Sequence, residues 1–483
     1  MTSSARDRAS ESRIVILGGG PAGLVAGLAL ARRGLAVSLL EAEDRPGGLC
    51  AGIEVAGLLC DLGSHRLHRA CAPPLRALIE DVLARRGVRL RERRRRGRIV
   101  LDGEVLAFPL RPLELLQRLG PRTLAAIAGD RVGALVSRDR VVETYADRVE
   151  AELGRTLLER FHGPYARKVW GRDPTDLSSE LARRRATGER GLFGKLTDML
   201  TGRSSRYLYP DAGFGAIPAA LAEAFQRAGG ELHLGTRVEG LTVPVFEAGS
   251  ADPAPALEVS ASGSSGPRLF RPSLVLSTLP ATTLAGILSP SLPAALVTAL
   301  SSGRFRGLRL LYLVVPVSRW SDAEAWYFPG PEVSAARISE PRHYLGAMGE
   351  TGSTVLCVEL PADPGEPLWE EAADALVGLL RDQLAAIGLT LPEPIAIKER
   401  RLPRAWPLHD ATREAAIPEL DEALRARPGL LAFGRQARLG HDNLHHAMRT
   451  GLAVAEAIGD DGRIGRSRFE AALREADEAT IED

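Results

Sequence analysis

Three histidines, His441, His445 and His446, lie within six positions of each other near the end of the 483-residue chain. Histidines in such a cluster can bind a metal, relay protons or lie on a solvated helix surface. The neighbouring residues do not complete a set of metal ligands, so the sequence predicts no metal here. Whether these side chains face another ligand, or are packed or solvated, stays open.

A helix must position this cluster. Apolar and small residues recur at helical spacing over 444–458. Asp442 or Asn443 is placed to cap the N-terminus of that helix, and Gly459 is placed to end it. The first histidine then precedes the helix, whereas the other two lie on its first turn, outside the apolar stripe. The positive end of the helix disfavours their charged form.

The N-terminal segment RIVILGGGPAGLVAGLALARRGLAVSLLEAE reads as strand, glycine turn, helix and strand. Gly18, Gly20 and Gly23 fit the pattern G-x-G-x-x-G, in which glycines allow the tight turn, the approach of a pyrophosphate and close helix packing. Glu41 ends the second strand, where a carboxylate can accept hydrogen bonds from ribose hydroxyls. The segment predicts dinucleotide binding. Its expected contacts are Gly18, Gly20, Pro21, Ala22, Gly23, Glu41 and Ala42.

The next segment, DRPGGLCAG, decides between dinucleotides. Its Arg45, Gly47 and Gly48 resemble the second motif of the flavin-dependent superfamily that contains monoamine oxidases, protoporphyrinogen oxidases, phytoene desaturases and UDP-galactopyranose mutases. A glycine pair lets the backbone approach a bulky ligand, and an arginine can neutralise a diphosphate. The resemblance therefore implies FAD as the cofactor.

The resemblance continues along most of the chain, through DLGSHRLH (61–68), GRIVLDGEVLAFPLRP (97–112), FHGPYARKVWG (161–171) and the stretch 209–241. Near the C-terminus, a short strand followed by Gly434 and Arg435 resembles the place where relatives direct a helix N-terminus at the flavin. The further cofactor contacts that the resemblance implies are Leu49, Gly63, Ser64, His65, Val238, Thr278, Gly434, Arg435, Asp442, Asn443 and Leu444.

The expected fold class is α/β, with a Rossmann-type FAD-binding domain interleaved with an α+β substrate domain. The FAD-binding domain is expected in three pieces, 1–75, 205–280 and 415–465. The substrate domain is expected over 76–204 and 281–414. Residues 466–483 are expected to form a C-terminal tail that is frayed over its acidic end, 474–483.

Composition excludes several classes. A net charge of +1 and 25% charged residues give no field for nucleic acid. The arginine-rich run 85–98 is interpreted as a solvated segment, with contact to an anionic substrate as the alternative. No run of about 18 apolar residues or signal-peptide pattern occurs, so we expect a cytoplasmic protein without a transmembrane segment. The oligomeric state stays open.

Two chemistries are compatible with these motifs. There is no second G-x-G-x-x-G for a nicotinamide, so electrons are expected to pass from an organic substrate to the flavin and on to O2 or another acceptor. The alternative is a non-redox, mutase-like enzyme acting on a sugar nucleotide. Amine oxidases place a lysine beneath the flavin, and the matching strand offers Arg309 instead. The candidate catalytic residues are His65, Lys168, Arg309, His441 and His445, with Arg66, Tyr165, Trp170 and Trp406 as further site candidates.

Overall fold

A computed structural model describes residues 14–109, 114, 117–118, 120–136, 141–183, 206–245, 256–264, 266–301, 305–345 and 352–478. The strands in these ranges are β1 (Ile14–Leu17), β2 (Val37–Leu40), β3 (Gly52–Val55), β4 (Leu58–Asp61), β5 (Leu90–Arg94), β6 (Gly97–Leu101), β7 (Glu104–Phe108), β8 (Arg206–Pro210), β9 (Glu231–His233), β10 (Arg237–Thr242), β11 (Glu258–Gly263), β12 (Gly266–Phe270), β13 (Leu274–Ser277), β14 (Leu288–Ser289), β15 (Phe305–Val315), β16 (Ala325–Tyr327), β17 (Arg337–Ser339), β18 (Thr354–Pro361), β19 (Ala396–Pro407) and β20 (Leu430–Ala432).

The longer helices are α1 (Pro21–Arg32), α2 (Pro73–Ala84), α3 (Gly120–Val136), α4 (Tyr145–Leu153), α5 (Gly163–Trp170), α6 (Ala216–Arg227), α7 (Ala281–Ile287), α8 (Ala294–Ser301), α9 (Ala373–Ala386), α10 (Ala411–Arg425), α11 (Leu444–Glu456) and α12 (Arg466–Glu478). None of the helices in the described ranges is long and apolar enough to cross a membrane.

A five-stranded parallel sheet has the order β20-β13-β1-β2-β9. Its strands β1, β2, β13 and β20 are buried throughout, as expected for a parallel sheet that helices cover on both faces. The strands come from three widely separated parts of the chain. This arrangement, together with the mixed sheet below, confirms the predicted α/β class.

A seven-stranded mixed sheet has the order β19-β15-β18-β17-β16-β6-β7. Because side chains alternate along a strand, its long strand β15 has two different faces. Leu308, Leu310 and Tyr312 pack into the cluster that also contains the core of the parallel sheet. Leu311 and Leu313 pack into a separate cluster with α9. We call the first the flavin-side face and the second the α9-side face.

Smaller elements join these sheets. Strands β10, β11, β12 and β14 form a four-stranded sheet, β3 and β4 form a hairpin, and β5 pairs with β8. Residues 97–108 of the segment 97–112 form the hairpin β6–β7, and β7 is the edge strand of the mixed sheet. Residues 110–112 lie outside the described residues.

Two expectations near the C-terminus were wrong. Helix α11 ends at Glu456 and not at Gly459, whose amide donates to Arg463 O in the turn that follows. Residues 466–478 of the expected tail form α12, which buries Phe469 and Leu473 against α11. Apolar side chains at helical spacing therefore outweigh the acidic composition of this segment.

Candidate functional site

The first glycine turn has the geometry that a dinucleotide needs. Gly18 has φ +104°, and a Cβ atom there would lie 2.4 Å from Thr278 Oγ1. A Cβ atom on Gly23 would lie 2.2 Å from Gly18 O, so only glycine lets α1 pack this closely on the turn. Gly20, by contrast, has open space where its Cβ would be. A phosphate has room to approach the backbone at that position.

The N-terminus of α1 is available to an anion. Pro21 is its first residue, Ala22 follows within the first turn, and Gly20 provides no side-chain cap. The first N–H groups of a helix have no partner within the helix, and its dipole favours negative charge there. These residues therefore fit the pyrophosphate of a dinucleotide.

Three other segments converge on this turn. Gly47 N donates to Gly19 O at 2.8 Å, and the Cβ position of Gly48 lies 3.6 Å from Gly20 Cα. Thr278 N donates to Leu17 O at 2.8 Å. The Cβ position of Gly434 lies 3.3 Å from Ala22 Cβ. We call this assembly the cradle, meaning residues 18–23, 47–48, 278 and 434.

Glu41 lies at the end of β2, next to the cradle. Its carboxylate accepts hydrogen bonds from Gly19 N at 2.7 Å and from Glu43 N at 2.9 Å. Burial raises the pKa of Glu41, and these backbone hydrogen bonds oppose the rise. Ala42 is exposed beside it. Thr236 N donates to Glu41 O, which brings β10 and its partly buried Val238 to the same edge.

The second motif follows the cradle. Arg45 is half exposed, pairs with Asp44 at 2.8 Å and donates to Gly52 O at 3.1 Å. Leu49 is partly buried in the short helical turn Gly48–Cys50. Both side chains thus lie where the chain leaves the cradle, although Arg45 is engaged by its neighbouring aspartate.

Helix α11 packs closely on α1. A Cβ atom on Gly451 would lie 2.3 Å from Ala22 O, so this contact requires glycine. Leu444 begins the helix seven residues earlier, which places its N-terminus roughly 10 Å from the contact at 1.5 Å per residue. The start of α11 therefore lies about two helical turns from its contact with the cradle.

The start of α11 is itself fixed by neighbouring groups. Asn443 is the N-cap, and its backbone N–H donates to His446 Nδ1 at 3.3 Å. Arg435 donates to Asp442 O and to Ala405 O, both at 3.1 Å. Arg435 thus ties the loop before α11 to the mixed sheet, and of the two predicted caps it is Asn443 that is used.

The histidines of the opening cluster are buried. His441 precedes the helix as predicted, is fully buried, and its Nε2 lies 2.8 Å from Pro407 O. Its ring also contacts Trp170 at 4.9 Å and His409 at 4.7 Å between centroids. His445 is buried beside His68, with ring centroids 6.5 Å apart. A solvated surface is therefore the wrong interpretation of this cluster.

The described residues contain no group of three or more histidine, cysteine, aspartate or glutamate side chains arranged to hold a metal ion. His446, the third member of the opening cluster, accepts a hydrogen bond at the helix start. This capping contact explains why His446 is buried. The spacing of the histidines in the sequence does not predict the contact.

The loop Gly63–His65 connects the two halves of the molecule. Gly63 has φ +92°. Ser64 Oγ lies 2.9 Å from Tyr344 Oη. His65 stacks on Phe214, with centroids 5.4 Å apart, and burial lowers its pKa to about 4. His65 is therefore neutral at physiological pH and can accept or donate a hydrogen bond.

A charged cluster lies on the flavin-side face opposite this loop. Arg337 makes a two-pronged ion pair with the buried Glu359, at 2.8 and 2.7 Å. Arg66 donates to Glu324 at 2.8 Å and to Tyr327 Oη at 3.2 Å. The Arg337 guanidinium lies 5.7 Å from the centroid of the Tyr327 ring. Although burial acts in the opposite direction, the nearby guanidinium groups lower the pKa of Tyr327.

A buried carboxyl lies beneath the same loop. Asp61 accepts hydrogen bonds from Tyr209 Oη at 2.8 Å and from Phe214 N at 3.1 Å. Its backbone oxygen accepts from Tyr312 Oη at 2.6 Å. Burial raises the pKa of Asp61 to about 7, because the desolvation cost outweighs these hydrogen bonds.

Lys168 anchors α5. Its Nζ donates to Phe328 O and Val333 O, both at 2.6 Å, and also to Gly330 O. Burial lowers its pKa to about 8. The ammonium group is therefore used to hold the loop between β16 and β17.

The aromatic candidates belong to one apolar cluster. Trp170 and Trp406 meet at 6.0 Å between centroids, beside His441. Tyr165 stacks on Phe161 at 5.9 Å. Tyr165 and Trp406 both pack against the cluster that contains Trp170, so the structure brings all three to the same region.

Arg309, a candidate catalytic residue, does not face the cradle. It lies on the α9-side face of β15, pairs with Glu399 at 2.5 Å and donates to the carbonyls of Leu368 and Trp369. The alternation of side chains along the strand turns it away from the cradle. The position of Arg309 along the sequence of β15 does not show which face of this strand meets the cradle.

Sequence reasoning missed Glu359, Arg337, Tyr327, Glu324 and Asp61. One signal was present: Glu359 is a single carboxylate inside the apolar stretch TVLCVELP, and a buried charge needs a partner. The other members lie on short segments whose pairing depends on the tertiary structure.

The cradle, the parallel sheet and the facing mixed sheet define a dinucleotide-binding enzyme with a second, sheet-based domain. The profile of the flavin containing amine oxidoreductase family matches residues 21–459. The chain therefore belongs to this family, and its cofactor is FAD. This confirms the resemblance predicted from the glycine motifs.

Solved structures share the fold. A reduced UDP-galactopyranose mutase is 17% identical, with a TM-score of 0.73 over 92% of this chain and 93% of that chain. A protein assigned as a protoporphyrinogen oxidase from Exiguobacterium sp. 255-15 is 19% identical, with a TM-score of 0.68 over 92% and 98%. A putrescine oxidase with bound putrescine is 15% identical, with a TM-score of 0.60 over 92% and 98%. At these identities the likeness shows the fold alone.

One curated relative matches over a shorter stretch. Protoporphyrinogen oxidase 2 of Arabidopsis thaliana is 25% identical over 176 residues. The match covers 35% of this chain and 34% of the plant protein, so it spans about a third of the length of that relative.

Proposed function

We propose that the protein is an FAD-dependent oxidoreductase that transfers a hydride from an organic substrate to N5 of the flavin and passes the electrons to O2 or another acceptor. The family and the intact cradle support flavin chemistry. The observation that carries the proposal is the N-terminus of α11, which lies roughly 10 Å along the helix from the contact of Gly451 with Ala22 of the cradle.

The chain's own groups prepare this place for reduction. The first N–H groups of α11 and its dipole favour negative charge at its N-terminus, which no side chain needs to supply. Asn443 caps the helix, and Arg435 fixes the preceding loop through Asp442 O. The loop Gly63–His65 and the flavin-side face form the wall of the site opposite the start of α11. A substrate bound between this wall and α11 would be oriented by tyrosine and arginine side chains.

Amine oxidation is not favoured. Among the described residues, Lys168 is held by carbonyl oxygens and Lys398 Nζ donates to Glu54 O at 2.8 Å. Arg309, at the register where amine oxidases have a lysine, lies on the α9-side face. The geometry supports a substrate whose oxidation does not depend on a lysine at the flavin.

The second candidate is a mutase-like reaction on a sugar nucleotide, in which the flavin acts without net redox change. Arg66 and Arg337 lie on either side of Tyr327, and guanidinium groups can bind a diphosphate. The solved mutase with the same fold is consistent with this alternative.

Two reactions of the purified yellow protein separate these candidates. A substrate that bleaches the FAD absorbance anaerobically, without added reductant, supports the oxidoreductase. Furanose product from UDP-galactopyranose after dithionite reduction would overturn it in favour of the mutase.

A matched pair of variants tests the cradle. The Cβ positions of Gly20 and Gly286 are both open, but only Gly20 is in the cradle. Gly20→Val should abolish FAD retention, because its side chain fills the space for the phosphate. Gly286→Val should retain FAD, and equal retention in both variants would contradict the proposed site.

A further inference from the structure

Glu359 links the mixed sheet to the loop at the proposed flavin site. It is 2% exposed and lies on β18, on the flavin-side face. Its Oε1 accepts a hydrogen bond from Ser64 N at 2.9 Å. A Cβ atom on Gly63 would lie 3.5 Å from the same oxygen, so the carboxylate and the loop are in direct contact.

Arg337 completes this contact on the other side of the carboxylate. Its Nε and a terminal nitrogen donate to the two oxygens of Glu359, and its side chain is 21% exposed. The negative carboxylate therefore contacts Ser64 N, and the positive guanidinium contacts the carboxylate. Neither group is needed to hold the strands together, because β17 and β18 already pair through their backbones.

The loop lies between this ion pair and the start of α11. His65 lies within electrostatic range of Glu359, Arg337 and Arg435. Arg435 donates to Asp442 O beside the N-terminus of α11. The ion pair is thus one loop away from the place where the proposed function puts the flavin.

Charges in this position act on an added electron. Inside a protein the effective dielectric constant is far below that of water, so charges interact over several ångströms. A carboxylate opposes the arrival of electrons nearby, whereas a guanidinium favours it. The carboxylate is the nearer of the two to the loop, since it accepts directly from Ser64 N.

We propose that Glu359 and Arg337 are positioning residues that hold the loop Gly63–Ser64 and set the reduction potential of bound FAD. The inference rests on the proposed placement of the flavin against this loop. Glu359 lowers the potential, and Arg337 partly offsets it. Neither residue needs to touch the substrate.

The test is the midpoint potential of bound FAD, measured by anaerobic titration against a reference dye. Glu359→Gln keeps an oxygen that can accept from Ser64 N but removes the charge, so the potential should shift upward. Arg337→Met removes the positive charge and leaves the carboxylate, so the potential should shift downward. Arg337→Lys, which keeps the charge, should return the potential towards the wild-type value.

The matched control is Glu399→Gln, which removes the carboxylate of a similar pair with Arg309 on the α9-side face of the same sheet. It should leave the potential unchanged. Shifts of the same sign in Glu359→Gln and Arg337→Met, or an equal shift in Glu399→Gln, would overturn the inference and leave a purely structural role.

The inference and the proposed function can fail separately. A wild-type protein that retains no FAD would overturn the proposed function. A protein that retains FAD, with potentials unchanged in both charge variants, would overturn only the roles assigned to Glu359 and Arg337.

Discussion

The two faces of the mixed sheet each contain an arginine–glutamate pair with one buried member, in different surroundings. On the flavin-side face, Arg337 and Glu359 contact a tyrosine ring and the backbone of the loop at Ser64. On the α9-side face, Arg309 pairs with Glu399 and donates to the backbone carbonyls of a short helical turn. The same ion-pair chemistry thus serves a site on one face and the attachment of a helix on the other.

The comparison shows that burial and an ion pair are not enough to identify a charged residue as functional. Breaking either pair leaves a buried group without its partner, which is costly wherever it occurs. What distinguishes Glu359 is its contact with the loop Gly63–His65, which lies outside the sheet. The contact of the carboxylate with this loop, and not the charge alone, is what indicates a functional role for Glu359.

The largest expected effect is on the α9-side face. Arg309→Leu removes the donor to Glu399 and to three carbonyl oxygens. We expect it to lower the free energy of unfolding by about 3 kcal/mol, the scale for removing one partner of a buried pair. Chemical denaturation measures this loss. The FAD spectrum of the folded fraction should stay as in the wild type, and an altered spectrum without loss of stability would contradict the comparison.

A pH effect of intermediate size is expected on the flavin-side face. The pKa of Asp61 is about 7 in the folded protein against 3.8 in a model compound. The folded state therefore holds a proton that the unfolded state releases, and the free energy of unfolding falls as pH rises from about 4 to about 7. Asp61→Asn should remove this dependence and be more stable than the wild type at pH 8, because the asparagine has no buried charge to desolvate there.

Denaturation of both proteins at pH 5 and pH 8 measures the difference. The advantage of the asparagine variant should shrink at the lower pH, because the wild-type carboxyl is then protonated. Parallel pH profiles for the two proteins would show that Asp61 does not titrate in this range.

The smallest expected effect on stability is at Tyr327. Tyr327→Phe removes the hydroxyl that accepts from Arg66 but keeps the ring, which contacts Phe108 at 4.6 Å between centroids. The free energy of unfolding should change by about 1 kcal/mol or less. The rate of FAD reduction by substrate should fall, because the hydroxyl lies in the proposed substrate site.

Tyr145→Phe is the matched control for this variant. Tyr145 is buried in a separate cluster with α5 and contacts His162. Its replacement should leave the rate of FAD reduction unchanged. Equal rates in wild type and Tyr327→Phe would remove Tyr327 from the site and weaken the contrast between the two faces.

Local patterns determined much of this protein. The spacing of Gly18, Gly20 and Gly23 requires a tight turn and a close helix wherever the rest of the chain lies, so the dinucleotide cradle was predictable. The α11 helix and its cap at Asn443 were predictable for the same reason, since both depend on residues a few positions apart. FAD followed from motifs in the correct order along the chain.

Only the tertiary structure decided which residues meet across the two domains. Alternation along β15 predicts two faces but not which one meets the cradle, so the position of Arg309 relative to the cradle could not be predicted. Glu359, Arg337 and Ser64 come from three distant segments, and their contact depends on strand pairing and domain packing. Long-range packing also buried His441, whose partners are far away in the sequence.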